Sequence, residues 1–145
     1  MATLADRFPA SWRGRPPAMP AGDFSVWSLF LDGPGRAWRE YAYDIELTGA
    51  AGPPLAADAI MQATWMRLIA KRVDAIAIRA SGLTLMEVRH NAAWQSVGQL
   101  IGYRDLFPLD YPTEIVEACA IVTDAIDPQI RAVAERQGLL VMLVT

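Results

Sequence analysis

The sequence predicts an α/β fold with a mixed central sheet flanked by helices, and three observations carry that reading. Val116–Val122 is an apolar run of the kind a strand buried on both faces requires. Asp127, Pro128 and Gly138 mark one helix at its cap, its first position and its exit. Val73–Arg79 and Leu83–Arg89 are short runs joined by Ala80-Ser81-Gly82, which specifies a hairpin. Strands and helices alternate after that hairpin, so the second half has βαβαβ character.

The remaining elements follow in chain order. Residues 1–22 carry Pro9, Pro16, Pro17 and Pro20 with Gly14 and Gly22, a composition that runs extended and makes an N-terminal arm ahead of one domain over 23–145. Asp23 is placed to cap a short helix whose Trp27, Phe30 and Leu31 fall three or four apart before Gly33-Pro34-Gly35 stops it. Tyr41–Leu47 alternates as a strand, with Tyr41, Tyr43 and Ile45 on one face and Asp44 and Glu46 on the other. A Gly/Pro loop follows from Gly49 to Pro54, then an Ala-rich helix over Ala57–Ala70 with Ile60, Met61, Trp65, Leu68 and Ile69 at helical spacing. Asn91 caps a helix running to about Phe107 and ended by Pro108, and Leu139–Val144 forms a last buried strand.

Composition narrows the function. A chain of 145 residues, 53% hydrophobic, suffices for one core that buries roughly 68–70% of the unfolded surface. The net charge of −3 excludes a uniformly basic nucleic-acid coat, so any nucleic-acid contact is local. From Lys71 to Arg104 five cations (Lys71, Arg72, Arg79, Arg89 and Arg104) stand against Asp74 and Glu87, which gives the sign that weak, salt-sensitive DNA contact needs. A single cysteine, Cys119, and a single histidine, His90, exclude a disulfide framework and a zinc site of several His and Cys ligands. Cys119 reads as a small core residue and His90 as a structural histidine at a strand end. No apolar run approaches 18 residues and no basic-then-apolar leader opens the chain, so the expectation is a soluble, intracellular protein without a membrane partner.

The chemistry lies on the hairpin. Folding about Ala80-Ser81-Gly82 brings Asp74 beside Glu87 at its open end, and Arg89, two residues on, projects on the same face as Glu87. Two such carboxylates suit a hard cation such as Mg²⁺, which keeps several waters and takes one or two carboxylates plus phosphate oxygens. The alternative is a rim of paired surface charges. Gln99 and Tyr103, four apart, share one helical face with Gln95.

Arg72-Val73-Asp74, the hairpin, Glu87-Val88-Arg89 and the Gln99-Leu100-Ile101-Gly102-Tyr103 stretch together resemble the PD-(D/E)XK nuclease superfamily, in particular small phage-encoded members with a QxxxY motif. Asp23, Trp27 and Tyr43-Asp44-Ile45 extend the similarity over most of the chain. The resemblance implies a restriction-endonuclease-like core, Asp74 and Glu87 as ligands of Mg²⁺ or Mn²⁺, and hydrolysis of DNA phosphodiesters supported by Gln99 and Tyr103. It also implies a third acidic ligand, for which Glu40 and Glu46 are the candidates, and a place in the infected bacterial cytoplasm or the virion. The chain departs from the pattern where the superfamily has lysine: Arg89 keeps its proton and is poorly matched to assisting an attacking water, and Lys71 is a weak substitute. The rival expectation is a structural or assembly component of a virus particle that reuses the fold and meets other virion proteins through the N-terminal arm, with Trp12 as an anchor.

Overall fold

The computed structural model describes residues 2–48 and 71–145; the loop from Gly49 and the Ala57–Ala70 helix expected from the sequence lie outside the described residues. Among the described residues six strands form one mixed sheet in the order of the chain: β1 (Phe8–Pro9), β2 (Glu40–Leu47), β3 (Lys71–Arg79), β4 (Gly82–Arg89), β5 (Val116–Thr123) and β6 (Leu140–Leu143). The pairs from β1 to β4 are antiparallel, and β4–β5 and β5–β6 are parallel. Helix α1 (Ala21–Asp32) covers one face through Val26, Trp27, Phe30 and Leu31, while α2 (Trp94–Asp110) and α3 (Pro128–Arg136) cover the other through Val97, Leu100, Phe107, Ile130 and Ala134. This is the expected α/β architecture and is consistent with a restriction-endonuclease-like core.

The hairpin turns through Ala80-Ser81, and Arg79 pairs with Gly82. Gly82 is required there, since a Cβ on it would lie 2.7 Å from the Ile115 carbonyl oxygen. The Asp127 carboxylate accepts from the Gln129 N–H at 2.7 Å, Pro128 opens α3, and Gly138 takes φ of 78° beyond its end, all as the sequence specifies.

Four local expectations are corrected. The first helix begins at Ala21, with Pro20 ahead of it, so Asp23 lies inside the first turn and its side chain serves another purpose. Asn91 does not cap α2; it holds φ of 54° in a turn, and Ala93 occupies the cap position. Pro108 does not end α2, which continues one further turn because Tyr111 N–H reaches the Phe107 carbonyl at 2.9 Å and the two rings stack 4.8 Å apart. β6 is an edge strand rather than a buried one, and burial falls on Leu139 and Val144 at its two flanks.

Strand β2 also departs from simple alternation. Tyr41 and Tyr43 face α1, whereas Ile45 and Leu47 face α2. The change of face occurs at Asp44, whose φ of 55° is the left-handed conformation that aspartate tolerates better than most residues. Across the ladder β3 changes face at the same level: Ala75 and Ala77 face α1 while Val73 faces α2.

Residues 2–20 contain no helix and lie against the domain. Phe8 and Pro9 pair with Tyr41 and Glu40, Ala10 N–H bonds the Arg39 carbonyl at 2.8 Å, and Met19 is buried. The Trp12 ring packs on the chain's own sheet, its centroid 4.5 Å from that of Phe8 and 5.5 Å from that of Tyr43. Arg13 binds Asp32 at 3.0 Å and fastens the segment to α1.

Candidate active site

The β3–β4 register continues from Arg79–Gly82 to Ala75–Met86 and stops one step short of Asp74 and Glu87, which therefore stand opposite each other at the open end. The backbone ladder is replaced there by a side chain: the Asp74 carboxylate accepts from the Val88 N–H at 2.8 Å. Glu87 is 1% exposed and points toward α2, where Arg89 binds one of its oxygens at 2.8 Å and the Tyr103 hydroxyl donates to the other at 3.0 Å. Arg89 also donates to the Gln99 side-chain oxygen at 3.1 Å. All five residues singled out in the sequence, Asp74, Glu87, Arg89, Gln99 and Tyr103, thus meet in one place, although Gln95 on the same helical stripe is exposed to solvent.

Electrostatics explains how two carboxylates coexist in this position. Burial, and then the charge of Glu87, pushes the Asp74 carboxyl well above the ordinary range, and burial raises Glu87 despite its bonds to Arg89 and Tyr103. Burial and the Glu87 charge together favour the protonated form of Asp74, so the pair does not readily carry two charges at once. Burial works against the Arg89 charge, but the hydrogen bond and charge of Glu87 outweigh it and hold the guanidinium protonated. Tyr103 is raised by burial and by the Glu87 charge, so it acts as a hydrogen-bond donor and not as a base.

A further carboxylate, Asp23, approaches Arg89 from α1, a placement that its reading as a helix cap concealed. Its Oδ1 accepts from the His90 N–H at 2.7 Å, and its Oδ2 lies 3.9 Å from the Arg89 guanidinium. The sequence signal was available in the Asp23–Trp27 pairing, but a cap and a site residue look alike before the helix start is known. Neither expected third acid is here. Glu40 sits at the far end of β2 opposite Ile78 and pairs with Arg7 at 3.7 Å, while Glu46 pairs in register with Arg72. Lys71 is the first residue of β3, three positions before Asp74.

His90 continues the strand end. Its Nδ1 lies 2.7 Å from Asp124, which also accepts from the Asn91 N–H at 2.8 Å. Burial opposes the Asp124 charge, but these two contacts hold its carboxyl below the ordinary range. Cys119 is a buried core thiol, raised by burial to about 11.

The cations counted along Lys71–Arg104 are dispersed. Arg79 lies over the Trp38 ring at 4.4 Å, Arg104 donates to the Gln137 carbonyl at 2.6 Å, and Arg72 borders a cleft beside the N-terminal segment. Of these four arginines, Arg89 is the one whose contacts described above reach Glu87.

The donor set suits a hard divalent ion in its smallest form. Among the described residues no group of three or more His, Cys, Asp or Glu is close enough to enclose a metal, and the available ligands are the paired carboxylates Asp74 and Glu87. Two carboxyls, Glu87 buried and Asp74 half-buried, opposite each other at the end of a strand ladder make a position whose charge a divalent cation would compensate. No helix among the described residues is long and apolar enough to cross a membrane. Comparison with known proteins finds no matching family model, no matching curated protein and no matching solved structure.

Proposed function

We propose that the protein is a phage-type PD-(D/E)XK nuclease-like protein that hydrolyses DNA phosphodiesters with Mg²⁺ or Mn²⁺. The observation that supports this best is the meeting of Asp74 and Glu87 at the open end of the hairpin, with Arg89, Gln99 and Tyr103 closed around Glu87. Asp74 and Glu87 would hold the ion, which when bound supplies Lewis-acid charge at the phosphate and a more acidic water. Arg89, half-buried and permanently charged, is suited to grip a phosphate oxygen. Tyr103 keeps the Glu87 carboxylate oriented, and Gln99 holds the guanidinium in place until substrate competes for it. Such a protein would work in the cytoplasm of an infected bacterium or in the virion.

A second reading is favoured by one observation: Arg89 already neutralises Glu87, with Asp23 nearby on its other side, which is the arrangement of a site retained for structure. The protein would then be a head–tail or tail accessory component bound to other virion proteins. One assay separates the two. Purified protein is incubated with linear duplex and single-stranded DNA in Mg²⁺ and in Mn²⁺, with Asp74→Ala as control and Arg89→Lys in parallel. Cleavage abolished in the control is expected. Silence from the wild type with activity in Arg89→Lys means an intact site closed by the guanidinium, and silence from both overturns the catalytic reading.

A further inference from the structure

A second concave site lies on the α1 face of the sheet and shares no residue with the carboxylate cluster. It is a cleft of about 400 Å³ between the N-terminal segment and the β2–β3 pair, within the range of small-molecule pockets. Phe8, Trp12 and Tyr43 supply its aromatic wall, with ring centroids 4.5 to 5.5 Å apart. The wall is fixed in advance. A Cβ on Gly14 would lie 2.2 Å from the Trp12 ring, so only glycine lets the chain close over the indole. Pro16, buried, stiffens the same stretch.

The charged lining is acidic. Asp6, Asp44 and Glu46 border the cleft against one cation, Arg72. Asp44 is aimed there by its left-handed backbone, which turns its carboxylate to the α1 face, where it accepts from the Ala18 N–H at 3.3 Å. Asp6 accepts from the backbone and hydroxyl of Thr3 at 2.9 and 3.3 Å. These two carboxylates already bond donors of the chain, so they offer charge more than open directional acceptors. A guanidinium, with five N–H groups to satisfy, is poorly served by that supply. A cation whose charge is wrapped in methyl or methylene groups is well served: ring faces attract it, apolar walls cover its carbons, and the surplus negative charge favours it.

We propose that this cleft binds a small organic cation of the alkylated ammonium class. The test titrates choline into the full chain by calorimetry, with 3,3-dimethylbutan-1-ol, in which a tert-butyl group replaces the trimethylammonium head, as the neutral counterpart of the same shape. The cation binds about tenfold more tightly than the alcohol, Trp12→Ala weakens it about tenfold, and Trp12→Phe, which keeps an aromatic ring, weakens it less. Glu46→Gln weakens it about threefold, and added salt does the same. Circular dichroism and thermal melting confirm that each variant is folded. Equal binding of the alcohol reduces the cleft to an apolar surface and overturns the proposal. So does absence of binding by the cation, or binding unchanged in folded Trp12→Ala and Glu46→Gln.

Discussion

The two ends of the β3–β4 hairpin share a register and differ in what holds them. At the closed end, backbone meets backbone: Arg79 pairs with Gly82, and the Leu83 N–H bonds the Ile115 carbonyl at 2.8 Å. At the open end the ladder gives way to side chains, with Asp74 taking the Val88 N–H and Glu87 held by Arg89 and Tyr103. Backbone pairing asks little of residue identity beyond a glycine where the chains crowd. Side-chain pairing asks for particular charges in particular places, and each one withdrawn leaves another uncompensated.

That contrast can be broken first by Arg89→Ala. Glu87 would then be left as a buried carboxylate without its counter-ion, and unfolding in urea at neutral pH should show a loss of about 3 kcal/mol. The loss should shrink in acid, where Glu87 takes a proton. At the closed end, Gly82→Ala drives a Cβ toward the Ile115 carbonyl and should cost about 2 kcal/mol, with no dependence on pH. A result in which Gly82→Ala is as pH-dependent as Arg89→Ala would mean that the two ends are not energetically separate.

Tyr103→Phe removes one hydrogen bond from Glu87 and should cost about 1 kcal/mol while leaving the fold intact. The mildest test is pH alone. Asp74 and Glu87 have raised folded values, so above the ordinary carboxylate range the folded state binds more protons than the unfolded one. Stability contributed by the pair is therefore present in acid and lost as pH rises from about 5 upward through the folded values. Urea midpoints across that range should fall for the metal-free wild type and flatten in Asp74→Asn.

The closed end and much of the open end were legible in the sequence. The turn residues set the register, the register placed Asp74 opposite Glu87, and strand alternation placed Arg89 with Glu87. Helical spacing put Gln99 and Tyr103 on one face, and tertiary packing then aimed that face at the site. The α3 boundaries were equally clear, because cap, proline and glycine act through local bonds. Asp23 was misread because its partners, His90 and Arg89, are remote in sequence, and an aspartate near a helix start has an adequate local explanation. The change of face at Asp44 was hidden for another reason: alternation assumes extended backbone, and one residue with positive φ reverses every side chain beyond it. Docking of residues 2–20 depends on aromatic contacts with β2 and has no local signature.

The spatial order of the strands, the same as their order along the chain, bears on how the molecule is made. Among the described residues each strand joins the one before it, so none of these strands need wait for a later one to be inserted between it and its neighbour. During synthesis the sheet can extend in one direction, with the two parallel additions the slower steps because α2 and α3 must first span the return. Until β5 emerges, β4 is a growing edge that carries Glu87 and Arg89 beside each other, and their mutual neutralisation spares the nascent sheet an unpaired charge on the surface it is about to bury.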